Sequence, residues 1–337
     1  MITIQSKIND INSFFNTLQS EIGGSLTERP TEYILHLDKE LGNGTIRSIN
    51  LDEGISVLEF NLNVNEDITI TIDSLLKTHV NFIYCSQGKL SHSFENSTSI
   101  NTIETFQTSI LSNIVTSKNT ITLEKDVQTV ATLISVNTTY DGSEKSHWNS
   151  SLRKTFISEK TSDFLYIGSY NLKIAENIKQ LRAIKQEGLV RALLTKGIVN
   201  VILALEIDQH NRDIENSDLA TTTLTKSEIS AIQDLSDYVE NYPDLDHKID
   251  NLTKKVGLSA AKIQEGFKFK HGLTVCEYIR YVRLTKSEEL ISNTDLNISE
   301  IVYSLGFSSR SYFSKIFRER FDCSPSDYKK NKLAVSA

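Results

Sequence analysis

The chain has 337 residues, with 36 Lys and Arg against 43 Asp and Glu, a formal charge of −7. This length predicts two domains, with room for a short third unit, and acidity taken whole argues against a protein that coats nucleic acid. Apolar residues at 39% and a mean hydropathy of −0.26 are enough for a globular core and too polar for an integral membrane protein. The opening stretch MITIQSKINDINSFF mixes Asp, Asn and Lys into its apolar residues, so no signal-peptide core is expected. Cys85, Cys276 and Cys323 are widely spaced with no CxxC, which predicts neither a disulfide framework nor a zinc cluster and points to the reducing cytoplasm.

Residues from about 30 to 140 carry the rhythm of strands. Leu58, Phe60, Leu62 and Val64 alternate with Asn61, Asn63 and Asn65, and Ile68, Ile70 and Ile72 repeat the pattern against Thr69 and Thr71. Gly44–Leu51, Phe82–Phe94, Thr108–Val115 and Thr120–Leu123 read as further strands between turn signals. Val127–Val136 is apolar on both faces, as in a buried strand. Many short strands predict one antiparallel β unit, a sandwich or small barrel of the cupin-like kind.

The period then changes to helical. Ile174, Ile178, Leu181 and Ile184 form one stripe, and Leu194, Ile198, Val201 and Leu205 a second, split near Gly188. The most apolar part, Gly197–Ile207, is short for a bilayer span and interrupted by Asn200. The stripes predict a helical hairpin that either packs on the β unit or forms a two-fold dimer seam. Asn211–Thr225 is polar enough for a linker, and Thr225 with Glu228 reads as a capping box opening a helix over Lys226–Asn241, with Pro243 beyond it. From Glu240 onward the net charge is +3, leaving −10 on the rest of the chain. The division predicted is a β-rich sensor domain over 1–160, a helical segment over 161–212, a linker over 213–228 and an all-α domain over 229–337, an α+β chain overall.

Two segments of the basic part share one design. Ile249–Gly272 and Asn297–Phe321 each carry a short helix, then Gly257-Leu258-Ser259 or Gly306-Phe307-Ser308, then a longer helix rich in Phe. Glycine after a helix supplies a left-handed turn and the serine behind it caps the next helix. Leu252, Val256, Leu258, Ile263 and Phe267 form the inner face of the first copy. Ile298, Ile301, Val302, Leu305, Phe307, Phe313 and Phe317 form that of the second. This is the helix-turn-helix pattern, twice. A long helix over Thr274–Ser292 joins the copies; at ~1.5 Å per residue it spans about 28 Å, near the ~34 Å of one DNA turn.

With Phe267–Gly272, the tract Tyr278–Leu284 and the closing Phe313, Phe317, Phe321, Ser324-Pro325 and Tyr328, the last 85 or so residues resemble the DNA-binding domain of the AraC/XylS family of bacterial transcription regulators. Ser287 departs from the Ala frequent there, and Asp322 from a frequent Gly. The resemblance implies a sequence-specific regulator rather than an enzyme, with double-stranded DNA as partner. Its base-reading positions fall on Ala261, Gln264 and Glu265 in the first copy and on Arg310, Ser311, Ser314 and Lys315 in the second. Arg310 and Lys315 suit guanine, Gln264 suits adenine, Ala261 a thymine methyl and Glu265 cytosine N4; a solvated or internally paired Glu265 is an equal reading. Lys268, Lys270, Arg318 and Arg320 are candidates for phosphate contacts, which position without specifying sequence. Arg280 and Arg283 suit either DNA or acidic groups of the domain itself.

The N-terminal part offers little chemistry. Its histidines make no metal-ligand spacing, and His92, on an expected strand, is read as structural. No Gly-rich phosphate loop and no nucleophile motif occurs, so no cofactor and no metal is expected. Gly44–Arg47, Gly54–Ser56, Phe82–Gly88 and Gln186–Arg191, with Gly266 and Thr274-Val275, are similar to the branch of AraC-type regulators that respond to siderophores of the pyochelin kind. That resemblance implies a small β-barrel sensing a ligand, followed by dimerising helices. The effector expected is thus a small molecule, with a siderophore as one candidate and its binding residues unknown. A homodimer is expected, RNA polymerase is a partner if the protein is an activator, and no membrane is involved. A protein-binding module in place of the ligand site, or a barrel enzyme with an appended DNA-binding domain, stays open on the residues alone.

Overall fold

Contacts in the computed structural model, which describes the chain outside residues 1, 8–10, 30, 53, 74–76, 96, 98, 140–146, 159, 216–222, 322, 336 and 337, divide the molecule into two units, Met1–Leu219 and Ala220–Ala337. The first unit opens with β1 (Ile2–Lys7), α1 (Ile11–Ile22), β2 (Ser25–Arg29), β3 (Glu32–His36), β4 (Gly42–Asn50), β5 (Ile55–Val64) and β6 (Ile68–Asp73). It continues with β7 (His79–Gln87), β8 (Lys89–Phe94), β9 (Asn101–Glu104), β10 (Gln107–Ser112), β11 (Lys118–Leu123) and β12 (Thr129–Asn137). After α2 (His147–Arg153) and a π-helical turn (Lys154–Ser158) come β13 (Phe164–Tyr170), α3 (Leu172–Ala183) and α4 (Gly188–Glu215).

The strands form two sheets, a five-stranded one ordered β1-β6-β11-β8-β9 and an eight-stranded one ordered β13-β10-β7-β12-β5-β4-β3-β2. Ile70, Leu90, Ile121 and Leu123 of the first sheet share one buried core with Ile46, Phe60, Leu62 and Ile83 of the second. Helix α1 adds Phe14, Phe15 and Leu18 to it, spaced so that one helical face is apolar.

The expectation of a single antiparallel unit over 30–140 needs correction. The unit begins at Ile2, because β1 pairs parallel with β6, Ile4 lying beside Ile70. Phe82–Phe94 is two strands: Gly88 adopts φ +72, a turn that glycine takes without strain, and sends β7 and β8 into different sheets. The segment 161–212 is not wholly helical, since β13 closes the edge of the large sheet against β10, Ile110 opposite Tyr166. Six of the seven residues of that strand are short of full burial around the buried Gly168, so no apolar alternation marks it.

Helices α3 and α4 meet the outer face of the eight-stranded sheet. Arg182 of α3 donates to Glu59 of β5 at 3.0 Å and Arg191 of α4 to Glu32 of β3 at 3.1 Å. Arg47 of β4 bridges the same two carboxylates. Val127–Val136 reads as apolar on both faces for this reason: Ile134 and Val136 point to one covered face, Leu133 to the other. The buried stripe of α4 is Thr195, Val199, Ile202, Leu203 and Glu206. The stripe read from sequence lies one step around the helix, and its Leu194 and Val201 are exposed. At 28 residues, α4 is long and apolar enough to cross a membrane by length and composition, which overturns the expectation of too short a stretch. Its second half instead buries Glu206, Gln209 and His210 within the unit.

Of the expected linker over 213–228, residues 213–215 belong to α4 and 226–228 to the next helix, and residues 216–222 lie outside the described part. The second unit contains α5 (Lys226–Asn241), α6 (Ile249–Val256), α7 (Ala260–His271), α8 (Val275–Asn293), α9 (Ile298–Ser304), α10 (Arg310–Phe321) and α11 (Pro325–Val335). Thr225, Thr274 and Asn297 each close a capping box with the Glu three residues on. Ile232 of α5 packs so tightly on α7 that a Cβ at Gly266 would sit 2.4 Å from it.

Candidate functional site

Between the sheets of the first unit lies a cavity of about 670 Å³, within the range of small-molecule sites. Strand register explains its lining. Across the large sheet Asn50 pairs with Ser56, Ser56 with Ser135, Ser135 with Asn81, and Asn81 with Leu111. One pleat along, Ser48, Leu58, Leu133 and Ile83 form the neighbouring rung. A polar rung therefore lies beside a mostly apolar one, and both face the cavity. Ile121 and Phe14 complete the apolar wall.

Facing the large sheet, His92 of β8 is 1% exposed. The side-chain amide of Asn119 donates to Asn113, which turns the Asn119 carbonyl oxygen toward His92 Nε2 at 3.0 Å. Nε2 thus carries the proton and Nδ1 is an acceptor. Burial holds the imidazole below its ordinary 6.5, against the smaller opposing effect of Asn119. His92 Nδ1 and Ser48 Oγ, buried atoms of two residues that line the cavity, find no hydrogen-bond partner among the described residues. No group of three His, Cys, Asp or Glu is placed to hold a metal ion among those residues.

Apart from His92, read from sequence as structural, the polar lining residues were not singled out, because polar residues in strands read as solvent-facing. Parity carries the missed signal: Ser56 shares the pleat of Leu58 and Phe60, Ser135 that of Leu133 and Ala131, and Asn81 that of Ile83 and Cys85.

In the second unit, α6 ends at Gly257 and Ser259 caps α7 by accepting from the Lys262 amide at 3.3 Å. Gly306 follows α9 with φ +72, and a Cβ there would lie 2.5 Å from the Asp244 carbonyl oxygen. Leu305, Phe307, Phe313 and Phe317 are buried in one cluster with Leu284 and Ile291 of α8. Leu252, Ile263 and Phe267 are buried as well.

The seven expected base-reading residues divide. Arg310, Ser311 and Lys315 are exposed and Ser314 half-exposed, on the side of α10 away from Phe313 and Phe317. Arg310 donates to the Ser299 hydroxyl at 3.2 Å, and Lys315 lies 4.0 Å from Glu319. On α7, Ala261 is exposed. Gln264 accepts the Val275 amide at 3.2 Å through its side-chain oxygen, which leaves its amide nitrogen to donate. Glu265 accepts from the Thr223 amide at 2.7 Å and from its hydroxyl at 2.8 Å, an internal hydrogen-bond partner.

Among the phosphate candidates, Lys268, Arg318 and Arg320 are exposed. Arg320 lies over the Tyr281 ring at 4.3 Å. Lys270 is corrected: at 2% exposure its ammonium is enclosed by the unit and cannot meet a phosphate without leaving its place. Arg283 donates to the carbonyl oxygens of Pro243, Leu245 and Gly306 at 2.7, 3.0 and 2.9 Å, so its guanidinium ties loops together rather than meeting an acidic side chain. Asp322, a departure noted in the sequence, lies outside the described residues.

Residues 252–331 match the model of a helix-turn-helix domain family. The regulatory protein SoxS of Escherichia coli is 36% identical over 98 residues, 29% of this chain and 92% of SoxS. The Msm operon regulatory protein of Streptococcus mutans is 37% identical over 83 residues, 25% of this chain, and the chain spans only 30% of that protein's length. A solved transcriptional regulator of Chromobacterium violaceum, with an AraC-type DNA-binding domain, is 22% identical over 32% of this chain and 96% of its own, at a TM-score of 0.30. That overlap is too loose to argue from, whereas the match to SoxS is both close and nearly complete. The chain belongs to the AraC family of helix-turn-helix, DNA-binding transcription regulators.

Proposed function

We propose that the protein is an effector-responsive regulator acting in the cytoplasm, its first unit binding a small molecule and its second reading a DNA sequence. The cavity of about 670 Å³ carries the first half of this reading, since concave, partly polar space of that size is what a small ligand needs. The siderophore candidate rests on sequence resemblance alone. A thermal-shift screen of the full chain against ferric siderophores, sugars and aromatic acids tests it: a saturable shift that also changes operator affinity supports sensing, and a flat response to every class refutes it.

The second unit reads DNA through α7 and α10 as paired recognition helices. On α10, Arg310, Ser311, Ser314 and Lys315 meet base edges; on α7, Ala261 and the Gln264 amide do so, while Glu265 stays with Thr223. Lys268, Arg318 and Arg320 hold phosphates. Arg310→Ala costs about 1–3 kcal/mol of operator affinity and relaxes preference at one base pair. Competition binding that showed equal loss on every sequence would remove the base-reading role.

The protein works as a homodimer through α4. Val190, Leu193, Leu194 and Val201 are 54%, 61%, 40% and 46% exposed, and among the described residues a Cβ at Gly197 would meet nothing within 4 Å. Spaced at three and four residues, they make one apolar stripe with a flat point for close helix approach. Leu193→Asp with Val201→Asp yields monomers in sedimentation; a wild type already monomeric at micromolar concentration, free and on DNA, refutes the seam.

A further inference from the structure

The chemistry of the cavity says what kind of molecule fits, an inference that rests on its being the effector site. Four of its polar groups share one rung of the large sheet. Asn50, Ser56, Ser135 and Asn81 lie in register on four adjacent strands. Asn113 stands two residues beyond Leu111, the strand partner of Asn81, and starts the chain Asn113–Asn119–His92 that crosses to the small sheet. Amides and hydroxyls of this kind both donate and accept, and they match hydroxyl groups better than a bare charge.

Two buried atoms sharpen the match. His92 Nδ1 presents a lone pair, so it calls for an O–H or N–H donor, and Ser48 Oγ can take either role. Leaving such atoms unpaired in the interior is costly. Among the described residues no Asp or Glu lines the cavity, and Lys77 there donates to the Val115 carbonyl oxygen at 2.5 Å. Those residues offer a cation no counter-charge. Past the polar rung the wall is Leu58, Leu133, Ile83 and Ile121.

We propose that the effector is a hydroxyl-bearing amphiphile without positive charge, its hydroxylated end on the Asn–Ser rung and His92 and its apolar end against Leu58, Leu133 and Ile83. Donation by a ligand hydroxyl to His92 Nδ1 is the selecting contact. Molecules of equal bulk that only accept are refused at that atom.

Calorimetric titration of the full chain with three probes of matched size tests this: 1,2-octanediol, dibutyl ether, which accepts but cannot donate, and octylammonium, which donates but is charged. The diol is expected to bind at least tenfold more tightly than either of the others. His92→Phe and, independently, Asn81→Leu are expected to weaken the diol tenfold or more and leave the ether unchanged; far-ultraviolet circular dichroism and Trp148 fluorescence report that the first unit of each variant folds. Equal binding of all three probes, or a diol affinity that neither variant alters, overturns the hydroxyl chemistry and leaves the effector cavity standing. Binding by none of them overturns both.

Discussion

Glu206 gives the first unit a pH dependence whose size follows from its surroundings. The carboxyl sits on the buried face of α4, 1% exposed, and accepts from the Thr108 hydroxyl of β10 at 2.6 Å. Burial pushes it from the ordinary 4.5 up to about 8, with Thr108 pulling weakly the other way. Between those values the unfolded chain is ionised while the folded one keeps its proton, so the folded state binds more protons and stability falls as pH rises. At ~1.4 kcal/mol per pH unit the fall approaches 5 kcal/mol and ends near pH 8. Trp148, the chain's one tryptophan, reports this unit's unfolding in urea by fluorescence. Glu206→Gln keeps an acceptor for Thr108 and removes the titration, so the difference between the two proteins should grow steadily from pH 5 to 8. His92 and His210, held low by burial, push the opposite way but are common to both proteins and cancel. A difference independent of pH would refute the buried neutral carboxyl.

Glu59→Ala should destabilise the first unit by about 3–5 kcal/mol, because it strips a partner from the half-enclosed guanidiniums of Arg47 and Arg182; urea denaturation followed at Trp148 measures it. In the second unit, burial and then the charge of Lys270 hold His271 down to about 3. It stacks on Tyr278 at 3.9 Å and shares a hydrogen bond with Ser236. The unfolded chain takes up this proton near 6.5 and the folded one does not, so stability is lost as pH falls from 6.5 toward 3. An NMR titration should find the ring neutral at pH 4.5; a midpoint near 6.5 would contradict its enclosure.

Much of the second unit is legible in the sequence because its signals are local. The Thr225–Glu228 capping box, the Gly257 and Gly306 turns and the Phe313–Phe317 spacing each act within a few residues, and α5 begins and ends where the capping residues and Pro243 place it. The first unit is set by pairing across distance. Nothing in residues 2–7 announces a parallel partner near residue 70, and β13 is a strand because β10 offers an open edge. The cavity was hidden for a related reason: a serine on an apolar pleat looks like an interruption until its three neighbours across the sheet prove polar too. Lys270 shows the converse, a charge that pattern alone assigns to solvent and packing encloses.

The large sheet is one residue thick, and strands alternate. In β4, Ser48 faces the cavity and its neighbour Arg47 joins the ion cluster on the other side; in β5, Leu58 and Glu59 do the same, and in β12 Leu133 and Thr132, the latter accepting from Arg182 at 3.3 Å. The floor of the cavity is thus the bearing on which α3 and α4 rest. On the proposed reading, a strand that tilted to meet an effector would carry its outward side chain with it, like a rocker, and Arg47, touching two carboxylates, would turn that tilt into a pull on both helices at once. The opposite parity of neighbouring side chains would then take the place of a relay of residues.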